Sequence, residues 1–248
     1  MSDHENQPLI EKLPADNPLA YFSAAKFMLS VGQISQLPED AGAEIAFVGR
    51  SNAGKSSALN LLCNQKQLAF SSKTPGRTRL LNFFQLPDEK RLVDLPGYGY
   101  AQAAKNEQQV WAKLINDYLQ YRTSLRGIVL LMDCRHPLKE QDKQFIDWAQ
   151  HYQIPLMALL TKADKLSKNQ AARQLWATGK TLEPYKLDRL QLFSTLNKIG
   201  IDSCRAQILE WFKAQSTTTE SPAESNTVLT QPQSEIAAPN SSPELPAS

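Results

Sequence analysis

Residues 44–48 read Glu44-Ile45-Ala46-Phe47-Val48 and pass directly into Gly49-Arg50-Ser51-Asn52-Ala53-Gly54-Lys55-Ser56. A short apolar run bounded by glycine suits a strand buried on both faces, and Gly49 and Gly54 permit the tight turn that ends it. From Lys55 to Cys63, residues Ala58, Leu59 and Leu62 recur at spacings that share one helix face. Strand, glycine turn and helix in immediate succession leave few options. That order places the helix against the sheet that the strand belongs to.

The rest of the sequence keeps this rhythm. Leu80-Leu81-Asn82-Phe83-Phe84 and Arg91-Leu92-Val93-Asp94 flank the turn signal Pro87-Asp88, which predicts an antiparallel pair. A helix over about 106–122 places Trp111, Leu114, Ile115 and Tyr118 on one face. Apolar strands at 128–132 and 156–160 are separated by a helix with Leu138, Phe145, Trp148 and Tyr152 in register, and Pro137 suits that helix's first turn. Ser167 with Gln170 is a capping-box signature for a further helix. A strand near 190–193 leads into a closing helix carrying Ile208, Leu209, Trp211 and Phe212, and Phe27-Met28-Leu29 begins an additional strand. All these apolar positions read as core. The expected architecture is a three-layer α/β sandwich around a mostly parallel sheet with one antiparallel strand. In such sheets ligands bind beyond the carboxyl ends of the strands, where the glycine turn lies.

Composition limits the alternatives. At 248 residues and 42% hydrophobic content the chain can bury one sizeable core. Residues 1–19, with Pro8, Pro14 and Pro18 among polar side chains, read as a flexible arm, and 20–214 as the folded domain. Residues 215–248 are rich in Ser, Thr, Pro and Glu with almost nothing to bury, and read as a disordered acidic tail. The tail holds four glutamates and no Lys or Arg, so over 1–214 the balance is 27 basic to 21 acidic side chains, +6 against +2 overall. That excess suits a phosphate-bearing partner and is also ordinary for a soluble domain. Cys63, Cys134 and Cys204 form no C-x-x-C pair, which points to buried thiols in a reducing compartment. The sequence has neither a leader nor an apolar run near membrane-spanning length, so a cytoplasmic protein is expected.

The glycine turn also carries chemistry. Its pattern, G-x-x-x-x-G-K-[ST], lets successive backbone N–H groups converge on phosphate oxygens, with the helix adding its positive end. Lys55 then reaches β- and γ-phosphates and the Ser56 hydroxyl a Mg²⁺ ion. Asp94-Leu95-Pro96-Gly97 ends a strand with D-x-x-G: the carboxylate can hold a Mg²⁺-bound water, and Gly97 leaves an N–H open to a γ-phosphate. Thr161-Lys162-Ala163-Asp164 ends another strand. An Asp there can accept both hydrogen bonds offered by guanine's N1–H and N2–H₂ edge, whereas adenine leaves it unpaired. Lys162 can lay its stem over the purine, although Thr161 stands where Asn is commoner. Phe193-Ser194-Thr195 can offer backbone N–H to guanine O6. Taken singly, D-x-x-G and the Lys-Asp pair read equally well as ordinary strand-end turns; their order and spacing favour a guanine-nucleotide site.

This ordered set at 49, 78, 94, 161 and 193 resembles the translation-factor-related P-loop GTPases, with their Ras-like domain. GRSNAGKSS, TPGRT, DLPGYGYA, DCRHPL and TKADKL resemble more closely the EngB family (also called YihA or YsxC), small bacterial GTPases implicated in assembling the large ribosomal subunit. The resemblance covers about residues 20–213. It implies that Thr78 is the second side-chain Mg²⁺ ligand after Ser56, with Thr74 the rival, and that Gly76, Arg77, Thr78, Arg79 and Leu80 close over the phosphates. Lys55, Thr78 and Gly97 would serve the reaction. Tyr98 follows Gly97 where many GTPases place a water-orienting Gln, which implies slow intrinsic hydrolysis. Asn52 matches GTPases whose hydrolysis is K⁺-assisted, or it only braces its loop; Arg77 can stabilise charge or contact rRNA. The implied function is a monomeric, Mg²⁺-dependent GTPase switch in large-subunit assembly, needed for growth and cell division. A GTP-gated scaffold in cell division and a P-loop kinase are the alternatives.

Overall fold

The computed structural model describes residues 17–69, 80–98 and 105–214, with backbone only for 105–112. Within these lie α1 (Pro18–Ser23), β1 (Lys26–Val31), β2 (Ala43–Gly49), α2 (Lys55–Leu62), β3 (Leu81–Gln85), β4 (Lys90–Asp94), α3 (Lys105–Tyr121), β5 (Leu125–Asp133), α4 (Glu140–His151), β6 (Leu156–Thr161), α5 (Lys168–Leu182), β7 (Arg189–Leu192) and α6 (Ile201–Lys213). The seven strands form one sheet in the order β1-β3-β4-β2-β5-β6-β7. β3 is antiparallel to both β1 and β4, and every other pairing is parallel. The single antiparallel strand expected from the Pro87-Asp88 turn is therefore present. Asp88 and Glu89 take φ of 57° and 55°, the left-handed pair that matches a hairpin's twist.

Alternation along β2 explains the layering. Ile45 and Phe47 enter one apolar cluster with Tyr21 and Phe22 of α1, Leu59 and Leu62 of α2, and Ile208, Trp211 and Phe212 of α6. Ala46 and Val48 point the other way, into a second cluster with Leu114, Ile115 and Tyr118 of α3, Phe145 and Trp148 of α4, and Leu182 of α5. Period-two side chains on a sheet covered on both faces produce two cores, one per face. All three cysteines are buried and unpaired.

Four readings of the sequence change. Phe27 and Met28 are 56% and 39% exposed, because β1 is an edge strand whose register shifts between Phe27 and Leu29; Leu80 is also exposed, at 37%. Pro137 does not open α4. Leu138 adopts φ 53° and the helix starts only at Glu140, after the Lys139 N–H has donated to Asp142 Oδ2 at 3.0 Å. Pro18, read as part of the arm, stands at the first position of α1, with Asn17 Oδ1 accepting from Ala20 N at 3.1 Å. Trp111 lies outside the described side chains. Among the described residues no helix is long and apolar enough to cross a membrane.

Parallel pairing of β4, β2, β5 and β6 brings four strand ends to one edge. Phe47 stands opposite Asp94, Gly49 opposite Leu131 and Asp133 opposite Thr161, so the motifs separated in sequence meet there.

Candidate guanine-nucleotide site

The glycine turn is shaped by contacts that side chains would prevent. A Cβ at Gly49 would stand 2.5 Å from the Leu131 carbonyl oxygen of β5, and Gly54 has φ 98°. Asn52 also lies in the left-handed region, at φ 61°. Ser51 N–H donates to Tyr98 O at 3.0 Å and Ala53 N–H to Arg50 O at 3.0 Å, which ties the turn to the chain after Asp94. Gly54 caps α2 without a side chain. The first-turn N–H groups are therefore open to an anion, reinforced by the helix dipole.

Lys55 Nζ stands 3.5 Å from Gly49 O. Burial lowers its pKa and the charge of Asp94 opposes the shift. The Asp94 carboxyl is raised to about 6 by burial, against the pull of Lys55. Its Oδ1 is buried without a hydrogen-bond partner among the described residues. A buried, orphaned carboxylate oxygen fits a role toward a hydrated cation, and the hydroxyl of Ser56, in the first turn of α2, is an oxygen donor of the hard type Mg²⁺ takes. Among the described residues no cluster of three His, Cys, Asp or Glu makes an alternative metal centre. At Gly97 a Cβ would come within 2.9 Å of Ser51 N and 3.1 Å of Lys55 Nζ, so glycine alone keeps this approach to the turn open. Leu95, expected at the ligand, is instead fully buried, its N–H donating to Phe47 O at 3.0 Å; Pro96 is half-buried.

The candidate base-reading end is built on β6 and the segment after β7. Asp164 Oδ1 accepts from Ser194 Oγ at 2.7 Å, and its side chain is 9% exposed. The Ser194 hydrogen bond holds its pKa down, keeping the acid charged. Lys162 takes φ 58°, and its Nζ pairs with Asp133 Oδ2 at 3.0 Å. Thr161 does not face the site. Its buried hydroxyl lies 2.7 Å from Ala53 O and 3.1 Å from Met132 O, clamping the glycine turn to β5 and β6. Ala163 is buried and donates to Phe193 O. Of the three residues after β7, Phe193 N–H already donates to Leu160 O and Ser194 N–H to Ile199 O, which leaves the exposed Thr195. Thr74, Gly76, Arg77, Thr78 and Arg79 lie outside the described residues, and Leu80 is exposed at their border.

Two features escaped the motif reading. The DCRHPL stretch, read as a family mark without a role at the nucleotide, grips the Lys162 segment: besides Asp133, Cys134 N–H donates to Thr161 O at 2.9 Å and Cys134 Sγ lies 3.3 Å from Lys162 O. Tyr98 turns away from the cleft. Its hydroxyl donates to Asp142 Oδ1 at 2.7 Å and its ring stacks on Phe145, centroids 6.2 Å apart. A charged residue directly after a strand is a sequence signal for the first; for the second there is none, because Tyr98 and Asp142 are 44 positions apart.

Comparison with known proteins agrees with this geometry. The family described as "50S ribosome-binding GTPase" matches residues 44–162. A probable GTP-binding protein EngB of Coxiella burnetii is 50% identical over 196 residues, covering 78% of this chain and 95% of the relative. Its counterpart in Mannheimia succiniciproducens is 51% identical over 189 residues, 76% and 92% of the two chains. Among solved structures, that of a probable GTP-binding protein engB superposes with TM-score 0.55 at 22% identity, over 70% of this chain and all of the other. Translation elongation factor SelB of Methanococcus maripaludis in its apo form gives 0.52 at 17%, over 73% of this chain and 36% of the other, a likeness of fold alone. With half of the aligned residues identical over nearly the whole length of such relatives, the chain belongs to the EngB family of P-loop GTP-binding proteins.

Proposed function

We propose that this protein is a Mg²⁺-dependent GTPase switch whose GTP form docks on a maturing large ribosomal subunit and leaves after hydrolysis. The observation that carries the nucleotide part is the convergence at one sheet edge of two separate recognitions. Asp164, held charged by Ser194, can read guanine, while Lys55, Gly97 and the open first turn of α2 face the phosphates. Ser56, Thr78 and, through water, Asp94 would hold Mg²⁺, which when bound supplies charge stabilisation for phosphoryl transfer. The backbone of Arg50, Ser51 and Ala53 frames the phosphates. Gly97 N–H donates to the γ-phosphate, and Lys55 neutralises charge on the β- and γ-oxygens.

The ribosomal part is supported by the printed description of the matching family and by the +6 balance of residues 1–214. With Tyr98 turned into the core, no side chain on that position orients water, and intrinsic turnover is slow. Asn52 is exposed, and its amide makes no hydrogen bond among the described residues, so it is available to a K⁺ ion between the phosphates. The buried thiols suit a reducing compartment such as the cytoplasm, and the family resemblance supports a monomer acting in growth and cell division. The same absent water-orienting group favours a second reading, a GTP-gated scaffold with incidental turnover.

Co-sedimentation with purified large subunits tests the switch. Binding with a non-hydrolysable GTP analogue and release with GDP is expected; binding indifferent to nucleotide would overturn it. Turnover stimulated by subunits, and faster in K⁺ than in Na⁺, separates the switch from the scaffold, which predicts a flat slow rate.

A further inference from the structure

A cleft of about 300 Å³ opens on the flank of the glycine turn away from Lys55. Its floor is Ser51, Asn52 and Ala53, and none of Gly54–Ser56, Asp94, Gly97 or Asp164 lines it. Arg50, Arg135, His136, Lys139 and Lys162 contribute to its walls, against a single carboxylate, Asp133. That carboxylate is shared: Arg135 Nη2 binds Oδ2 at 2.7 Å and Nε binds Oδ1 at 2.9 Å, while Lys162 Nζ binds Oδ2 at 3.0 Å. Arg50 and Lys139 both act on the buried carboxyl of Asp142, behind the cleft, so four Lys and Arg side chains face two carboxylates. Arg135, His136 and Lys139 are exposed, so their groups can reach a ligand from solution.

We propose that this basic cleft is an anion site for a phosphodiester of an RNA backbone, adjoining the nucleotide's phosphate cradle across the shared wall of residues 50–53 and formed on its other side by Arg135, His136 and Lys139. The volume is at the lower end of the range for ligand pockets, about 300–1,000 Å³, enough for a phosphate with part of its sugar. An excess of Lys and Arg over carboxylates around a concavity is the ordinary footprint of phosphate-backbone binding, and the positive balance of the surrounding domain favours a polyanion over an isolated acidic side chain. The position gives the site a consequence. A phosphate entering beside Arg135 competes with Asp133 for the cations that it holds, one of which is Lys162, and so RNA contact is coupled to the base-reading segment. This inference rests on the proposed ribosomal partner but does not require intact subunits to be tested.

The experiment uses the full-length protein with Lys139→Ala and Lys139→Glu, and Lys180→Ala on the distant exposed face of α5 as a control of equal charge change. Binding of a fluorescein-labelled, mixed-sequence single-stranded RNA 20-mer is followed by anisotropy over a KCl series, and GTP-analogue affinity is measured in parallel. Loss of one phosphate contact is expected to make the log–log salt slope shallower by about 0.7 in Lys139→Ala. Lys139→Glu is expected to weaken RNA binding further, with Lys180→Ala and nucleotide affinity unchanged. Equal RNA binding by wild type and both Lys139 variants would overturn the proposal, as would no RNA binding by wild type. A loss of GTP-analogue affinity matching the RNA loss would assign the cleft to the nucleotide site and overturn it equally. A subunit co-sedimentation arm separates the two readings: if wild type binds subunits and the Lys139 variants bind as well, this inference fails alone; if wild type does not bind, the ribosomal reading fails while the RNA titration still decides the cleft.

Discussion

Thr161 shows how one hydroxyl can serve a site without touching its ligand. Lying between Ala53 O and Met132 O, it joins the glycine turn to two central strands inside a dry environment. Removing a buried donor leaves its acceptors unpaired, at a cost of about 1–3 kcal/mol. Thr161→Val is therefore expected to lower the unfolding free energy in urea by that amount and to weaken binding of a fluorescent GDP analogue, whereas Thr161→Ser, which keeps the hydroxyl, restores most of both. Equal affinity in Thr161→Val would mean that the turn holds its shape without the clamp. The sequence raised Thr161 only as a departure from Asn; its partners, Ala53 and Met132, are 108 and 29 positions away.

At the scale of elements, α4 and the segment after β4 are joined by Tyr98. Its hydroxyl satisfies Asp142, whose own pKa burial raises, and its ring sits against Phe145. Tyr98→Phe is expected to cost about 1–3 kcal/mol in urea unfolding while kcat for GTP stays within about twofold, because the lost group faces the core. Tyr98→Gln puts an amide into an aromatic cluster. It should destabilise the protein without accelerating hydrolysis, and a faster Tyr98→Gln enzyme would show that the residue can swing into the cleft.

A second link between elements lies at the opposite end of the sheet, where Asp40 accepts from Thr123 N and Ser124 N, each at 2.8 Å. Burial by itself would raise this carboxyl, but hydrogen bonds from Ser124 and Thr123 bring it down to about 2. Unfolded, the acid titrates near 4, about its ordinary value. On acidification the unfolded chain therefore takes the proton first, and stability present above about pH 4 is lost as pH falls toward 2. Since the side chain is partly exposed, its share is on the order of 1–2 kcal/mol. The stability gap between wild type and Asp40→Asn, read from urea midpoints at pH 6 and pH 2.5, should narrow at the lower pH; a constant gap contradicts the assignment.

For the molecule as a whole, the closing helix is what completes the layer formed with α1 and α2. Trp211 of α6 lies flat on β5, where a Cβ at Gly127 would stand 2.6 Å from its ring, and its indole N–H donates to Asp188 Oδ2 at 2.7 Å. Gly127→Ala should overpack this contact and cost about 1–3 kcal/mol. Gly179 makes the opposite case. It lies within α5, and a Cβ there would meet only Leu190 at 3.5 Å, so Gly179→Ala should gain up to about 1 kcal/mol. Thermal unfolding of the two variants should move in opposite directions, and a neutral Gly127→Ala would mean that α6 can shift off the sheet.

Much of this arrangement was legible in order and spacing alone. Local rules suffice for a strand, a glycine turn and a helix, for the Ser167–Gln170 cap and for the Pro87–Asp88 hairpin, because each depends on residues within a few positions. Each phosphate or base motif is likewise local, and it is their order along the chain that points to a guanine-nucleotide site. Tertiary structure decided the rest. Which residues of β1 stay exposed, where Tyr98 points, how Asp133 shares its charge between Arg135 and Lys162, and that Thr161 braces rather than reads, all depend on neighbours brought together by strand order. Such contacts are set by packing and by the need to satisfy every buried polar group, and neither leaves a period in the sequence.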